Sequence, residues 1–164
     1  LIWVAPYRMK RLLSFLDPYG DPEGAGWQII QSYIALAKGN WFGVGLGNST
    51  QKLFFLPHQH NDFIFSIIAE ELGIVGSSIF ISLFVCLIYS GFKMIDRAKN
   101  LFVRNLMAGI IIITSLQIII NISVTVGLLP TKGMPLPFIS YGGSSLVFTL
   151  VAMGLILALD KKRK

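Results

Sequence analysis

The chain has 164 residues, 54% of them hydrophobic and only 13% charged, with a mean hydropathy of +0.68. Soluble domains carry roughly 45–50% apolar and about 25% charged residues, so so much apolar surface in so short a chain excludes an ordinary soluble domain and points to an integral membrane protein. The net charge of +6 does not signal nucleic acid, because eight of the fourteen Lys and Arg residues sit in two short clusters flanking apolar runs, the pattern of a topology signal.

The opening Leu1-Ile2-Trp3-Val4-Ala5-Pro6 lacks the basic stretch and the small-residue cleavage site of a signal peptide. Residues 1–6 read as the end of a membrane helix, and the chain as the C-terminal part of a longer protein. A long segment follows over 7–61. Within it, "SFLDPYGDPEGAG" (14–26) has two Asp-Pro steps and three glycines, which is turn chemistry. "WQIIQSYIALAKGNWFGVGLG" (27–47) is apolar but interrupted by Gln28, Gln31, Lys38 and glycines. It is expected to form a re-entrant or interfacial helix ending near Gly39, with Trp27, Tyr33 and Trp41 at headgroup depth. Gly43-Val44-Gly45-Leu46-Gly47 has the wrong spacing for a dinucleotide fingerprint and reads as a turn packed against a helix.

Three transmembrane helices are expected after that, at 62–92, 105–129 and 139–159, since lone spans must satisfy their own backbone hydrogen bonds. The single cysteine, Cys86, lies within an apolar run and reads as a small hydrophobe. Basic clusters fill the 93–104 loop and the 160–164 tail. Two spans separate them, so they share a side, and the positive-inside rule makes that side cytoplasmic. The 7–61 segment and the 130–138 loop then face the extracytoplasmic side. The fold class is all-α, a polytopic helical membrane protein.

The chemistry-bearing residues gather toward that outer side. On a helix, Asp62, Ser66 and Glu70 share a face, with Glu70 about 12 Å deeper at roughly 1.5 Å per residue. Two carboxylates on one stripe suggest a polar groove entered from outside, whereas Asp62 alone would also serve as a helix cap. Glu71 points elsewhere, to a neighbouring helix or the groove wall. His58 and His60 could join Asp62 around a metal, or be headgroup-level loop residues with His60 orienting Asp62. Lys132 lies between Pro130 and Pro135, and Ser140-Tyr141-Gly142-Gly143-Ser144-Ser145 opens the last span. A helix start of glycines and serines leaves backbone N–H groups open, which with Lys132 suits a phosphate or diphosphate. Close helix packing and lipid-headgroup binding are the alternatives there. Thr114, Gln117, Asn121 and Thr125 follow one face of the middle span and read as polar contacts between helices.

Three stretches carry a family resemblance: "YRMKRLLSFLDPYGDPEGAGWQIIQS", "FGVGLGNSTQKLFFLPHQHNDFIFSIIAEELG" and "NISVTVGLLPTKGMPLPFISYGGSSL". They resemble the shape, elongation, division and sporulation (SEDS) family of bacterial polytopic proteins. "GLGNSTQKL" and "GLLPTKG" resemble its division members more than its elongation members. The resemblance implies a ten-span peptidoglycan glycosyltransferase (EC 2.4 class) of the bacterial inner (plasma) membrane. Such an enzyme polymerises lipid II at the division septum, with its catalytic face extracytoplasmic and its C-terminus cytoplasmic. This chain would supply the end of span seven, the large outer loop and spans eight to ten, and alone would be inactive. The resemblance makes Asp62 the essential aspartate and general base, with inversion and release of undecaprenyl diphosphate. It matches Lys132 to a last-loop lysine of the division members. Lys132, Ser140, Gly142, Gly143, Ser144 and Ser145 would take the diphosphate, with His60, Ser66, Glu70 and Glu71 supporting the groove. The implied partners are a class B penicillin-binding protein and other divisome membrane proteins, with no nucleic acid. No metal site is assigned, and a divalent cation (Mg2+ or Mn2+) bridging Asp62 and the diphosphate stays open. Asn61, His58 and Phe54 stand where family members usually or sometimes carry threonine, glutamate and another acid, so the mouth is less acidic here. A lipid II transporter (flippase) and a non-enzymatic divisome scaffold are the competing readings.

Overall fold

The computed structural model describes residues 6–22, 24, 26–49, 63–131 and 133–161, and its regular elements are all helices. These are α1 (Pro6–Leu16), a 3-10 turn at Pro18–Gly20, α2 (Trp27–Gly39), α3 (Ile64–Arg97), α4 (Leu101–Thr125) and α5 (Gly143–Lys161). The last three are long and apolar enough to cross a membrane.

Their bounds differ from the hydropathy reading for local reasons. The helix expected over 62–92 runs on to Arg97, because Ile95 is buried with Met107, Ile111 and Ile156 and holds the end of α3 in the bundle. Only 98–100 are left to turn the chain, and the Asn100 side chain accepts from the Phe102 N–H to cap α4. α4 stops at Thr125 rather than 129 because Gly127, at φ 78°, closes a Schellman motif. In it Leu128 N bonds Ser123 O at 2.7 Å and Gly127 N bonds Val124 O at 3.1 Å. α5 meets the other two through Met153, Ile156 and Leu159 near the α3–α4 turn. Lys99 and Asp160 line one small cavity there, so both basic clusters lie at the same end.

α3 is not one span. At 34 residues it would measure about 51 Å, against a hydrocarbon core of roughly 30 Å. It breaks at Gly73 (φ 68°, ψ −168°), a backbone conformation open essentially to glycine alone. Residues 64–72 form a short outer piece and 74–97 the span proper.

The chain after α2 fills the break. Val44 N and Gly45 N donate to the carbonyls of Glu70 and Glu71, at 3.0 and 3.1 Å. Asn40 O and Trp41 O accept from Ile74 N and Val75 N, at 2.9 and 3.2 Å. The end of one half-helix and the start of the other are thus capped by a single loop. Backbones approach closely to allow it. A Cβ on Gly39 would strike the Ala69 carbonyl, one on Gly43 the Glu71 carbonyl, and one on Gly73 the Gly43 N and Trp41 O. α2 lies against this outer piece along a face of small buried residues, Ser32, Ala35 and Gly39. Ser32 Oγ also donates to Thr125 O at 2.8 Å, tying α2 to the end of α4.

The stretch before α5 departs most from expectation. Residues 133–140 do not merely loop outside: they turn back into the bundle, where Leu136 packs between Phe84 of α3 and Ile118 of α4. The last helix therefore starts at Gly143, not 139.

Replacing Gly73 or Gly43 by Ala is expected to destabilise the protein by about 1–3 kcal/mol from overlap, plus about 1–3 kcal/mol of backbone strain. Gly109→Ala and Gly154→Ala, where an added Cβ meets nothing within 4 Å, should be neutral or slightly stabilising. Thermal unfolding of the full-length protein in detergent distinguishes the two groups.

Candidate functional site: the mouth of the third helix and the re-entrant loop

Asp62, His58, His60 and Lys132 lie outside the described residues, as do Asn61 and Phe54. Their flanks are described. Phe63, next to Asp62, is buried in one apolar cluster with Ile67 and Val124, and Leu129 packs against it. Thr131, next to Lys132, accepts a hydrogen bond from Arg11 of α1 at 3.4 Å. The segments that carry the aspartate and the lysine therefore depart from the same end of the bundle, opposite the α3–α4 turn.

Ser66 and Glu70 are both fully buried, so neither lines an open groove. Ser66 Oγ donates to Phe63 O at 2.7 Å and closes the first turn of α3. Glu70 Oε2 accepts from Ser49 Oγ at 2.5 Å, and Ser49 is also 0% exposed. The glutamate thus fastens the chain just before residue 50, while Phe63 fastens it just after residue 62. Glu71 is half-buried. Its Oε1 is buried and has no hydrogen-bond partner among the described residues.

The start of α5 divides its residues between two uses. Ser140 Oγ accepts from Leu136 N at 2.7 Å, and Ser140 N donates to Leu136 O at 3.0 Å, so this serine closes the re-entrant loop on itself. It is not presented to an anion. Gly143 and Ser144 are exposed at the helix start, with Gly142 and Ser145 half-buried. An added Cβ on Gly143 would meet nothing within 4 Å, so close helix packing is not what this glycine serves here. The first N–H groups of α5 face an open surface.

Gln117 and Asn121, read from their spacing as contacts between helices, both reach the re-entrant loop. Asn121 Nδ2 donates to Met134 O at 2.7 Å, and Gln117 Nε2 to Pro135 O at 2.9 Å. Thr114 and Thr125 bond back to carbonyls of their own helix. Ser49, Arg11 and the Gly39–Gly43–Gly73 contact are the features that pattern reasoning passed over. Gly73 directly after the Glu-Glu-Leu turn was the available signal, since a glycine there suits a helix end. Among the described residues no group of three or more His, Cys, Asp or Glu side chains gathers to hold a metal ion.

Comparison with known proteins supplies the family. The sequence pattern of the FtsW/RodA/SpoVE cell cycle proteins matches residues 1–164. The chain belongs to that family. With three helices long and apolar enough to cross a membrane, it is a multi-pass membrane protein. A protein of Thioalkalivibrio sp. (strain K90mix) named "Probable peptidoglycan glycosyltransferase FtsW" is 51% identical over 156 residues, covering 93% of this chain and 39% of that protein. One of the same name from Coxiella burnetii is 52% identical over 157 residues, covering 94% and 42%. Among solved structures, one described as the structural coordination of polymerization and crosslinking by a peptidoglycan synthase complex matches 99% of this chain and 44% of that one, at TM-score 0.76 and 31% identity. The Thermus thermophilus rod shape determining protein RodA, crystallised as an aspartate-to-alanine mutant, matches 64% of this chain and 35% of that one, at TM-score 0.61 and 35% identity. The chain thus spans about two fifths of the length of the curated FtsW relatives it matches. Their shared name agrees with the division-type resemblance of "GLGNSTQKL" and "GLLPTKG".

Glu70→Ala removes a buried acceptor of the fully buried Ser49 hydroxyl, and should cost about 1–3 kcal/mol before any cavity term. Glu70→Gln keeps an acceptor and should cost less than Glu70→Ala, and Ser49→Ala should cost less in the Glu70→Ala background than in the wild type. Thermal unfolding of the full-length variants in detergent checks the order.

Proposed function

We propose that the full-length protein is a septal peptidoglycan glycosyltransferase that polymerises lipid II, with Asp62 as general base. The single supporting observation is the convergence of flanks. Phe63 and Leu129 share one apolar cluster, and Arg11 holds Thr131. Asp62 is one peptide link from Phe63, and Lys132 is one from Thr131. An acid and a cation borne on neighbouring segments suit a reaction that removes a proton and stabilises a departing diphosphate.

In this reading the 4-hydroxyl oxygen of the lipid II N-acetylglucosamine attacks the anomeric carbon at the lipid end of the growing strand. Asp62 takes the hydroxyl proton. The anomeric bond to the diphosphate breaks, its electron pair leaves with undecaprenyl diphosphate, and configuration inverts. Lys132 and the open N–H groups at Gly142, Gly143, Ser144 and Ser145 stabilise the charge that builds there. His60 orients Asp62. Ser66, Glu70 and Ser140 act through the backbone they hold. A divalent cation, when bound, would supply further charge stabilisation at the diphosphate; the glycans are polymerised in this scheme by the protein's own acid and cation.

The basic end of the bundle, with Lys93, Arg97, Lys99 and Lys161, takes the cytoplasmic side by the positive-inside rule, and the mouth of α3 the outer side of the inner membrane. A class B penicillin-binding protein is the proposed partner, in keeping with the synthase complex whose structure this chain resembles. Residues 1–164 alone are proposed to be inactive, since the relatives are more than twice as long.

The decisive measurement is glycan polymerisation from lipid II by full-length protein with its partner, comparing wild type with Asp62→Asn at matched membrane levels. Wild type should form polymer and the variant should be at least about 100-fold slower. Equal rates would reduce Asp62 to a helix cap and favour a lipid II transporter or a scaffold.

A further inference from the structure

Two carboxamides in the last turns of a membrane-spanning helix donate N–H groups to a loop. Asn121, 2% exposed, donates to Met134 O, and one turn further in Gln117 donates to Pro135 O. These carbonyls belong to consecutive residues, so the pair grips the loop like two pins on one strand. Gln117 lies eight residues before Thr125, about 12 Å along the axis. The loop is therefore drawn some two turns below the end of α4.

Three further features show that the loop is held in one shape. Leu136 and Pro137 are fully buried, the leucine between Phe84 and Ile118. Ser140 closes the turn with two hydrogen bonds to Leu136. Phe138 sits at φ 69°, a strained conformation for an aromatic residue that persists only where its surroundings over-determine it. The proline-flanked leucine keeps its own N–H satisfied by Ser140, which leaves the carbonyls of Met134 and Pro135 to be satisfied from α4. In an apolar interior each would be costly to leave bare.

From this geometry we infer that Gln117 and Asn121 are positioning residues. By pinning Met134 and Pro135 they fix the limb that leads out to Thr131 and the limb that leads into α5, and so set the place of the groups that stabilise the leaving diphosphate. The inference rests on the glycosyltransferase reading of the site. The class of ligand served is a polyprenyl diphosphate. The acceptor hydroxyl and Asp62 are served by the other segment, which Ser49 and Phe63 hold.

The test uses full-length protein with its partner penicillin-binding protein, and two readouts. The first is a double-mutant cycle in lipid II polymerisation with Asn121→Leu, which keeps the size but removes the donor, and Lys132→Ala. Asn121→Leu should lower kcat about 10- to 100-fold. The double variant should lose less than the product of the two single losses, because both act through the same loop. Thr114→Val, which loses only a bond to its own helix, should keep the wild-type rate. The second readout is independent of activity: maleimide labelling of Leu136→Cys, with Cys86 and all other native cysteines replaced by serine. The thiol should be protected when Asn121 and Gln117 are present and labelled in Asn121→Leu/Gln117→Met, which lack any donor. Unchanged protection overturns the anchoring. Labelling with losses that multiply in the cycle overturns the positioning role and leaves a structural one. Labelling in a protein whose wild type forms no polymer upholds the anchoring and removes the glycosyltransferase reading instead.

Discussion

A helix broken inside a membrane protein must satisfy both of its severed ends, and lipid offers them nothing. At Gly73 that obligation falls on one loop. Val44 and Gly45 give their N–H groups to the last carbonyls of the outer half-helix, and Asn40 and Trp41 give their carbonyls to the first N–H groups of the inner one. An unpaired backbone group in hydrocarbon costs several kcal/mol, so the break and the loop are stable only together. This explains why glycines stand at Gly39, Gly43 and Gly73: each is where a side chain would collide with the other partner's backbone. It also explains why α2, too short and too polar to span, lies where it does. It delivers the loop.

The same constraint operates at the other segment. The Met134–Leu136 stretch enters the bundle as irregular backbone, which is tolerated at depth only where protein satisfies it. Gln117, Asn121 and Ser140 do so from α4 and from the loop itself. The helix that delivers the first loop, α2, joins the end of α4 through Ser32–Thr125 and through Tyr33, whose ring packs on Gly127. Everything irregular is thus concentrated at one end of the bundle. At the other end the helices join by a three-residue turn and an apolar cluster. Irregular backbone that is conformationally fixed is a means of aiming side chains, and among the described residues it is confined to the end opposite that turn.

Much of this was legible. Three apolar runs without charge at their centres gave three helices, and the asymmetry of Lys and Arg marked one end as different. The candidate acid and cation fell on segments whose flanks do converge. What the pattern could not convey was depth. Hydropathy sees 62–92 as one run because Gly73 is a single neutral residue, and the cost of breaking a helix there is invisible until the capping loop, some thirty residues earlier, is in place. It likewise reads "GMPLPFIS" as a polar-side loop, since two prolines and a glycine speak for a turn but not for where the turn is. Glu70 looked like a groove residue because a carboxylate on an apolar face suggests access to water. Its hydrogen bond to Ser49 is a contact across 21 residues of sequence, and no periodicity encodes it.

The choice of polar groups at these junctions follows the same physics. The re-entrant loop is held by carboxamides, which donate without bearing charge. An ammonium or guanidinium in their place would have to be desolvated without a counter-charge, since the loop offers only carbonyl dipoles. Charge is kept instead for places where the chain can reach the surface: Arg11 at the rim against Thr131, and the basic end beyond the α3–α4 turn. Glu70 is the exception, an acid with no exposed surface, which accepts a hydrogen bond from the Ser49 hydroxyl. Carboxamides and hydroxyls hold the re-entrant loop without adding formal charge there. In the proposed reaction, that leaves the field at the mouth of the helix to be set by the residues that meet the substrate, as an enzyme acting on a diphosphate at a membrane surface would require.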